Sequence, residues 1–492
     1  MYRLVLYGLL IIAALAMVFG VVGVLPFSVV QLILSLGLAL VACYVTNLVF
    51  SKVFKAPTNI ESAHITALIL FLIMPPVKTT NDAVILVLTC FIAMASKYIF
   101  AVNKHHLFNP AALAAVLSTY LLAGGASWWV GSFVLIPATT IIGLLIVHKI
   151  RRWHLFLAYV VTSVATLLTF HFLRSGDIPE FISQLITSWP IIFFGTIMLT
   201  EPLTAPPTKQ LQILYGAVVG LLFGLPFSLG PLYFSPEMAL VLGNVCSYVL
   251  APRRKILLRL KEKIEHSSSM HDFVFTPDQK LAFFPGQYLE WTLPHHSCDS
   301  RGNRRYFTVA SSPTESEIRL GVKIPHDTAS TFKQALLSLK KNEELVAGQL
   351  AGDFILPEDS NKKLVFIAGG IGVTPFRSMI KFLTDTKQKR DIVLLYAASD
   401  PSEFMYQDVF AAAIKNSVTT HYVITHQDEV PSGWSGQVGR ITAEMIKKLI
   451  PDFQQRAYYL SGPQAMVKAY ESILATLGVP RSQVVTDYFP GF

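Results

Sequence analysis

The order of apolar and polar positions divides this chain near residue 255. Upstream, apolar runs fall near 4–25, 28–50, 64–77, 83–101, 107–124, 129–147, 155–173, 189–200, 211–228 and 236–252, with few charges between them. Such runs predict an all-α polytopic membrane domain of about ten spans, several of them shorter than the ~20 residues a full crossing needs. Downstream the period changes. Residues 256–265, 271–276 and 287–293 alternate as strands of a small barrel should, with a Pro-Gly turn at 285–286 before the third. From 364 onward, apolar strands (364–368, 392–396, 419–424 and 457–460) alternate with helical stretches, as in a parallel α/β sheet. The expected organisation is therefore multidomain: a transmembrane domain over 1–255, a β-barrel over 256–357 and an α/β domain over 358–492.

Charge follows the same division. The first part holds 14 Lys and Arg against 6 Asp and Glu, the second 26 against 25, so the formal +9 belongs almost wholly to the membrane half. That favours membrane topology over nucleic acid as its cause. With the N-terminus inside, Arg3, Lys52, Lys55, Lys97, Lys104, Lys149, Arg151, Arg152, Lys209 and 253–255 all fall inside. Only Lys78 and Arg174 fall outside, near Asp82, Asp177 and Glu180. This pattern predicts a multi-pass protein of the cytoplasmic membrane, with both termini and the soluble half in the cytosol. No small-residue cleavage site follows the first run, so residues 4–25 read as a span rather than a removed signal. Cys43, Cys90 and Cys246 lie in apolar runs and Cys298 stands alone, so neither disulfides nor an iron–sulfur centre are expected.

The membrane half repeats itself. LFLIMPPVKTT (70–80) precedes FNPAALAAVL (108–117), and IMLTEPLTAPPT (197–208) precedes FSPEMALVL (234–242). On the topology above the two copies are inverted. Paired, proline-interrupted segments point to a site within a membrane fold, because freed backbone is tolerated only where protein or a cavity satisfies it. Asn109, Thr200, Glu201 and Thr204 are the candidate residues; the bland reading is proline kinks in a packed bundle. GTIMLTEPLTAPPTKQLQILYGAVVGLLFG with YFSPEMALVLGNVCSYVLAP, and KHHLFNPAALAAVL, resembles the RnfD/NqrB family, the flavin-holding membrane subunits of ion-translocating oxidoreductases. The family's Ser-Gly-Ala-Thr sequence for covalent flavin has no counterpart. The resemblance therefore implies a non-covalent flavin or a quinone, and other membrane redox subunits as partners. Six histidines (His64, His105, His106, His148, His154 and His171) invite a haem reading, but most sit at predicted cytosolic ends beside Lys or Arg and read as interfacial.

In the soluble half, FIAGGIGVTPFRSM (366–379) reads as a buried strand, a turn at Gly369, Gly370 and Gly372, and a helix opening at Thr374-Pro375. Glycines there let backbone N–H groups approach a pyrophosphate at the positive end of the helix. RRYFTVASSP (304–313) resembles the Arg-x-Tyr-Ser/Thr motif of the ferredoxin-NADP reductase superfamily, and TASTFKQAL (328–336) its second flavin element. The resemblance implies FAD. Arg305 would pair with a flavin phosphate, Phe307 lie against the isoalloxazine and Thr308 sit near flavin N5. Tyr306, Val322, Lys323, Ser330 and Thr331 would complete the flavin site. It implies a nicotinamide site at Gly370, Gly372, Thr374, Pro375, Ser461, Gly462 and Pro463, Ser461 standing where the family has Cys. At the chain end, Asp487 would be the family's acid and Phe489 its shielding ring, with Tyr488 and Phe492 competing. Asp400 after the second strand favours NADH by repelling a 2′-phosphate, or is a turn residue before Pro401. The expected catalytic residues are Thr308, Ser461 and Asp487.

The function these readings imply is a membrane-bound NAD(P)H oxidoreductase passing electrons through FAD to a membrane acceptor. A haem-containing reductase of the ferric reductase or NADPH oxidase kind, and a flavin-regulated transporter, remain open beside it.

Overall fold

In a computed structural model the protein forms two compact units, Met1–Arg254 and Lys255–Phe492. The structure describes residues 2–54, 60–102, 105–174, 178–230, 232–251, 255–295, 298–299, 302–325, 329–426, 428 and 430–489. Lys55, Lys104, Asp177, Arg253, Arg254, Thr328 and Phe492, named above, lie outside them, as do the side chains of His105, Tyr488 and Phe489.

The first unit is helical. Its helices are α1 (Tyr2–Val22), α2 (Val29–Val53), α3 (Ile60–Ile73), α4 (Thr80–Ile99), α5 (Pro110–Leu121), α6 (Ile136–Ile150), α7 (Trp153–Arg174), α8 (Ile178–Thr187), α9 (Ile191–Phe193, continued as a π-helical turn Phe194–Met198), α10 (Lys209–Gly224) and α11 (Pro236–Leu250). The expectation of about ten spans is corrected. Among the described residues four helices are long and apolar enough to cross a membrane, Arg3–Val22, Val29–Val53, Thr80–Ile99 and Trp153–Arg174; the pair Ile178–Thr187 and Ile191–Met198, bent by 55°, makes a fifth if counted as one. The remaining apolar runs form helices of 12 to 16 residues. At 1.5 Å per residue these span roughly 18–24 Å, short of the ~30 Å hydrocarbon core. Sequence sets their lengths. α3 stops before Pro75-Pro76, and α5 and α11 begin at side-chain caps, Asn109 and Ser235, each followed by proline.

The repeat extends through the whole order of elements. A long helix (α2), a helix ending at a proline break (α3), α4, a hairpin of two-residue strands β1–β2 (Ala101–Val102, His105–His106) and a short helix (α5) recur as α7, α8–α9, α10, β3–β4 (Ser228–Leu229, Leu232–Tyr233) and α11. Each hairpin is flanked by a phenylalanine pair, Phe100–Phe108 at 5.9 Å and Phe227–Phe234 at 5.3 Å between ring centroids. The equivalent helices α5 and α11 run antiparallel. The start of α5 meets Asn244 well along α11 (Asn109 N–H to Asn244 Oδ1, 2.8 Å), while Tyr120 near the end of α5 meets Tyr233 just before α11.

In the second copy, α7 and α10 touch backbone to backbone. Gly216, Gly220 and Gly224 recur every fourth residue of α10. A Cβ at Gly216 would lie 2.5 Å from Leu155 O, and one at Gly220 would lie 2.6 Å from Tyr159 O. Small residues at this spacing let helices approach where lipid supplies no hydrophobic drive.

The second unit holds two sheets. Strands β5 (Ile256–Glu265), β6 (Met270–Pro277), β7 (Tyr288–Thr292), β8 (Arg304–Thr308), β9 (Ile318–Lys323) and β10 (Glu344–Ala351) pair antiparallel in the order β8-β7-β10-β5-β6-β9. Helix α12 (Thr331–Ser338) packs on their apolar core of Trp291, Phe273, Phe275 and Phe332. Strands β11 (Leu364–Gly369), β12 (Ile392–Ala398), β13 (Val418–Ile424), β14 (Gln437–Val438), β15 (Ala457–Pro463) and β16 (Val484–Phe489) form a parallel sheet, ordered β14-β13-β12-β11-β15-β16. Its helices are α13 (Thr374–Asp385), α14 (Gln407–Ala412), α15 (Ala443–Leu449) and α16 (Gln464–Thr476). β11 and β12 are buried along their whole length, as central parallel strands are. A charged knot ties the strand starts at the base of the sheet. Arg456 forks onto Asp391 (2.7 and 3.0 Å) and its Nε donates to Asp452 (2.6 Å), which Lys363 also meets at 2.7 Å.

Two predictions follow from this packing. Gly220→Leu should lower the unfolding midpoint in detergent, with an overpacking cost of about 1–3 kcal/mol, whereas Gly37→Leu, which meets open space, should not. The Arg456 hydrogen bond holds the Asp452 carboxyl down at about 2 against an ordinary 3.8. Its stabilising share is thus complete above the ordinary carboxyl range and is lost as pH falls toward 2. Acid titration of folding should show Asp452→Asn with a shallower loss over that interval than the native chain.

Candidate nicotinamide and flavin site

The glycine-rich turn sits where the sequence places it, at the carboxyl end of a central parallel strand. β11 ends at Gly369, a 3-10 turn covers Gly370–Val373, and α13 opens at Thr374 with Pro375 in its first turn. Gly370 adopts φ +52° with open space where a Cβ would be, so this turn needs a residue that tolerates the left-handed region. Gly372 is constrained differently. A Cβ there would lie 2.6 Å from the Ser461 carbonyl carbon and 2.7 Å from Gly462 Cα. The turn therefore packs directly on the Ser461-Gly462-Pro463 end of β15. Thr374 is buried, its hydroxyl donating to Ile371 O within the turn (3.2 Å).

Ser461 is fully buried, and its hydroxyl has no hydrogen-bond partner among the described residues. Thr308, at the end of β8, is buried with the same orphaned hydroxyl. Buried unpaired hydroxyls are uncommon enough to require a partner. The register of β15 and β16 sets Asp487 directly beside Ser461 and Phe489 beside Pro463, so the acid expected at the chain end does meet the nicotinamide-side turn.

The flavin-side residues divide. Arg305, Phe307 and Thr331 converge. Arg305 Nη2 donates to both oxygens of Asp299 (2.9 and 3.0 Å) while Nη1 donates to Gly302 O and Arg304 O; the guanidinium lies 5.3 Å from the Phe332 ring, and Phe307 packs 5.9 Å from that same ring. Thr331 Oγ1 accepts from Asp299 N–H (3.0 Å) and lies 3.1 Å from His295 Nε2. A guanidinium beside a hydroxyl at a helix start suits a carboxylate or a phosphate equally. Asp299 and His295 were not foreseen; neither lies within a motif. Ser330 caps α12 by accepting from Lys333 N–H, as a helix start requires.

Four of the expected site residues have further contacts of their own. Val322 is 2 % exposed and its side chain packs in the barrel core. Lys323 is paired with buried Glu403, while its carbonyl accepts from Lys333 Nζ. Tyr306 shares its strand face with Thr308 rather than with Arg305 and Phe307; it is 45 % exposed and donates to Glu290 (2.8 Å). Asp400 caps its own turn by accepting from Ser402 N–H (2.8 Å), the role of a turn residue before proline.

In the first, helical unit all four candidates come together. Glu201 Oε2 accepts from Asn109 Nδ2 (2.9 Å) and Thr204 Oγ1 (3.3 Å), and Glu201 Oε1 lies 3.5 Å from His106 Nε2. Asn109, Thr200 and Glu201, with Ser62, line a cavity of about 50 Å³, room for one or two waters. Three of the histidines weighed for haem are engaged elsewhere: His154 Nε2 lies 2.7 Å from Gln212, His171 stacks on Phe181 and His64 on Tyr44. No group of three or more metal-ligating side chains occurs among the described residues.

Comparison with known proteins bears on the second unit. Residues 366–472 match the oxidoreductase NAD-binding domain family. The chain is 26% identical over 238 residues to a glycine betaine monooxygenase reductase subunit of Chromohalobacter salexigens, covering 47% of this chain and 63% of that one. It is 24% identical over 246 residues to a flavohemoprotein of Halalkalibacterium halodurans, covering 47% and 58%. Among solved structures, the FAD/NAD-binding domain of a Vibrio cholerae nitric oxide dioxygenase is similar at 20% identity and TM-score 0.43, over 48% of this chain and 98% of that one. The chain spans less than two thirds of the length of these two relatives. The second unit is an oxidoreductase module with an NAD-binding domain. Its residues fit NAD(P)H and a flavin: a glycine turn that a Cβ would close, two orphaned buried hydroxyls, and a guanidinium beside Thr331.

Gly372→Val should abolish bleaching of the bound flavin by NADH in an anaerobic titration while the FAD content stays unchanged, because the added methyls displace the Ser461 backbone and not the barrel.

Proposed function

We propose that this chain is a membrane-bound oxidoreductase that takes electrons from NADH through FAD and delivers them to a flavin or quinone held by its helical unit. The observation that carries the reading is the junction of Gly372 with Ser461. There a glycine turn, an unpartnered buried hydroxyl and the neighbouring Asp487 share the carboxyl end of one parallel sheet. When bound, a flavin would supply the redox chemistry, as a group able to take a hydride from NAD(P)H and give up two electrons.

The chain's own residues bind and orient. The Gly370–Thr374 turn offers backbone N–H groups to the dinucleotide pyrophosphate. Ser461 and Thr308 present hydroxyls for the reacting ends, and Asp487 sets a carboxylate beside Ser461. Arg305 and Thr331 hold the flavin phosphates, and Phe307 offers the ring face beneath the isoalloxazine. The negative charge of Asp400 at the end of β12 favours NADH over NADPH.

The helical unit is read as RnfD/NqrB-like, which accounts for its two proline-broken segments and the polar cluster at Glu201, Asn109, Thr200 and Thr204. Four long apolar helices and the distribution of Lys and Arg support a cytoplasmic-membrane location, with the reductase module in the cytosol and other redox subunits as partners.

The test is an absorbance spectrum of the detergent-purified chain before and after anaerobic NADH, with released flavin counted per chain. At least one FAD bleached by NADH is expected, and a second bleached flavin would locate a cofactor in the helical unit. A chain that NADH and NADPH both fail to bleach would overturn the function, and a Soret band would overturn the reading of the helical unit.

A further inference from the structure

One heavily buried charged side chain near the nucleotide turn has no place in the site described so far. Arg377 lies one helical turn beyond Thr374 on α13 and is 4 % exposed. Its guanidinium forks onto Glu315, with Nη2 donating to Oε1 at 2.9 Å and Nη1 meeting Oε2, and Nη1 also donates to Ala310 O (2.9 Å). Glu315 Oε2 accepts from Ser312 N–H as well (2.7 Å), so the carboxylate is held from both sides. Two further bonds join the same partners. Ser378 Oγ donates to Ser311 O, and Thr314 Oγ1 donates to Asp385 at the far end of α13 (2.5 Å). The ring of Tyr406 lies 5.3 Å from the Arg377 guanidinium, and its backbone is held at φ +60°.

Every group on one side of this joint belongs to residues 310–315, which continue β8 directly from Thr308. Every group on the other side belongs to the helix that the Gly370–Thr374 turn opens, or packs on it. Burial works against both charges, yet the mutual hydrogen bonds and charge hold the Glu315 carboxyl below its ordinary range and the Arg377 guanidinium above its own. Among the described residues both Nη groups of Arg377 are hydrogen-bonded while its buried Nε has no partner; such a paired buried fork adds little net stability over apolar packing, but it fixes geometry tightly.

We propose that Arg377 and Glu315 are positioning residues for hydride transfer, a clamp that sets the separation between the Thr308 end of the flavin strand and the nucleotide turn. The proposal rests on the NADH-to-FAD reading above. Neither side chain touches the cofactors. They act by holding Ala310 O, and through it β8, against α13. Loss of the fork is therefore expected to leave each half-site intact while changing how the two meet. Misplacement of reacting groups by about 1 Å costs on the order of a hundredfold in rate, far more than it costs in binding.

The experiment uses the full chain in detergent and compares Arg377→Gln, Arg377→Lys and Glu315→Gln with the native protein. Four quantities are read: FAD per chain, the NADH concentration for half-maximal bleaching, the first-order bleaching rate at saturating NADH, and the long-wavelength charge-transfer absorbance that reports nicotinamide stacking on the flavin. Amide hydrogen exchange over 309–315 and 374–385 without nucleotide gives a readout that needs no turnover. The clamp predicts unchanged FAD content and half-saturation within about threefold. It predicts a saturating rate lowered about tenfold or more, a weakened charge-transfer band, and faster exchange in both segments. Arg377→Lys, which keeps the charge but not the fork, should recover little of the rate.

A saturating rate and charge-transfer band equal to native, in variants whose exchange is accelerated, would reduce the fork to a structural contact and overturn the proposal. If Arg377→Gln fails to fold, Ser378→Ala removes only the neighbouring bond to Ser311 O. A saturating rate unchanged in that variant counts against the clamp, and a lowered one with full FAD supports it. A native chain that neither NADH nor NADPH bleaches is a separate outcome: it sinks the functional reading itself.

Discussion

No side chain fits at residue 372. The Gly372 backbone sits against the Ser461 carbonyl and Gly462, where even a Cβ would come within 2.6 Å of the Ser461 carbonyl carbon. This one approach fixes which strand ends can share a surface. It requires β11 and β15 to be neighbours, which their parallel pairing from Leu364↔Ala457 to Ala368↔Ser461 provides. It also places the orphaned Ser461 hydroxyl at the mouth of the glycine turn, and β16 then brings Asp487 alongside. The chemistry of the nicotinamide side thus follows from a steric fact about backbone. Strand order, register and the choice of glycine are consequences of the same contact.

The flavin side depends on a different kind of constraint. Its residues come from a hairpin and a short helix whose positions are set by the barrel core, where Phe332 links the start of α12 to Phe307 and Arg305 at once. A ring that packs on an aromatic and under a guanidinium fixes both by shape before any ligand arrives. Arg305 Nη2 is already matched by the Asp299 carboxylate, so a phosphate would exchange with a carboxylate rather than fill an unpaired charge. Such an exchange avoids leaving a half-buried cation without a partner.

What the sequence revealed and what it concealed divide along physical lines. The glycine turn was legible because a backbone requirement is written in residue type: only glycine serves at φ +52° or against a facing carbonyl. The Arg305, Phe307 and Thr331 cluster was legible through its resemblance to a family motif. The burial of Val322 and the pairing of Lys323 with Glu403 were not legible, because a strand motif does not say which face turns to the core or which acid lies across from it. Asp400 was readable both ways; its bond to Ser402 shows the turn role and leaves its negative charge just beyond β12. The membrane spans were overcounted because composition measures apolarity and not helix length, which prolines and caps cut to 12–16 residues. The burial of Arg377 was not legible, since a charge on an amphipathic helix, as with Lys381 and Asp385 on the same one, normally faces solvent. The spacing of Gly216, Gly220 and Gly224 stood in plain view; it was read as part of a family stretch rather than as a packing surface.

The helical unit shows why its two repeats have to be folded together. Each copy leaves polar groups that its own elements do not satisfy. The carboxylate of Glu201, at the break in the second copy, takes its shortest hydrogen bond from Asn109, the cap of the last helix in the first. The Asn109 N–H in turn donates to Asn244 of the second copy, and Asn244 is itself held by the Tyr215 hydroxyl. The buried Glu237 carboxylate at the start of α11 accepts from Trp128 (3.0 Å), whose own N–H donates to Ile73 O at the break of the first copy. A broken helix within a membrane is tolerable only if its freed groups are met by protein, and here each copy meets the needs of the other. Removing either partner would leave a charge or an amide unpaired in an apolar setting, at a cost of several kcal/mol. The inverted arrangement is therefore a condition of stability for the polar cluster at Glu201, and the same interlocking that makes the breaks affordable confines that cluster to the seam between the copies.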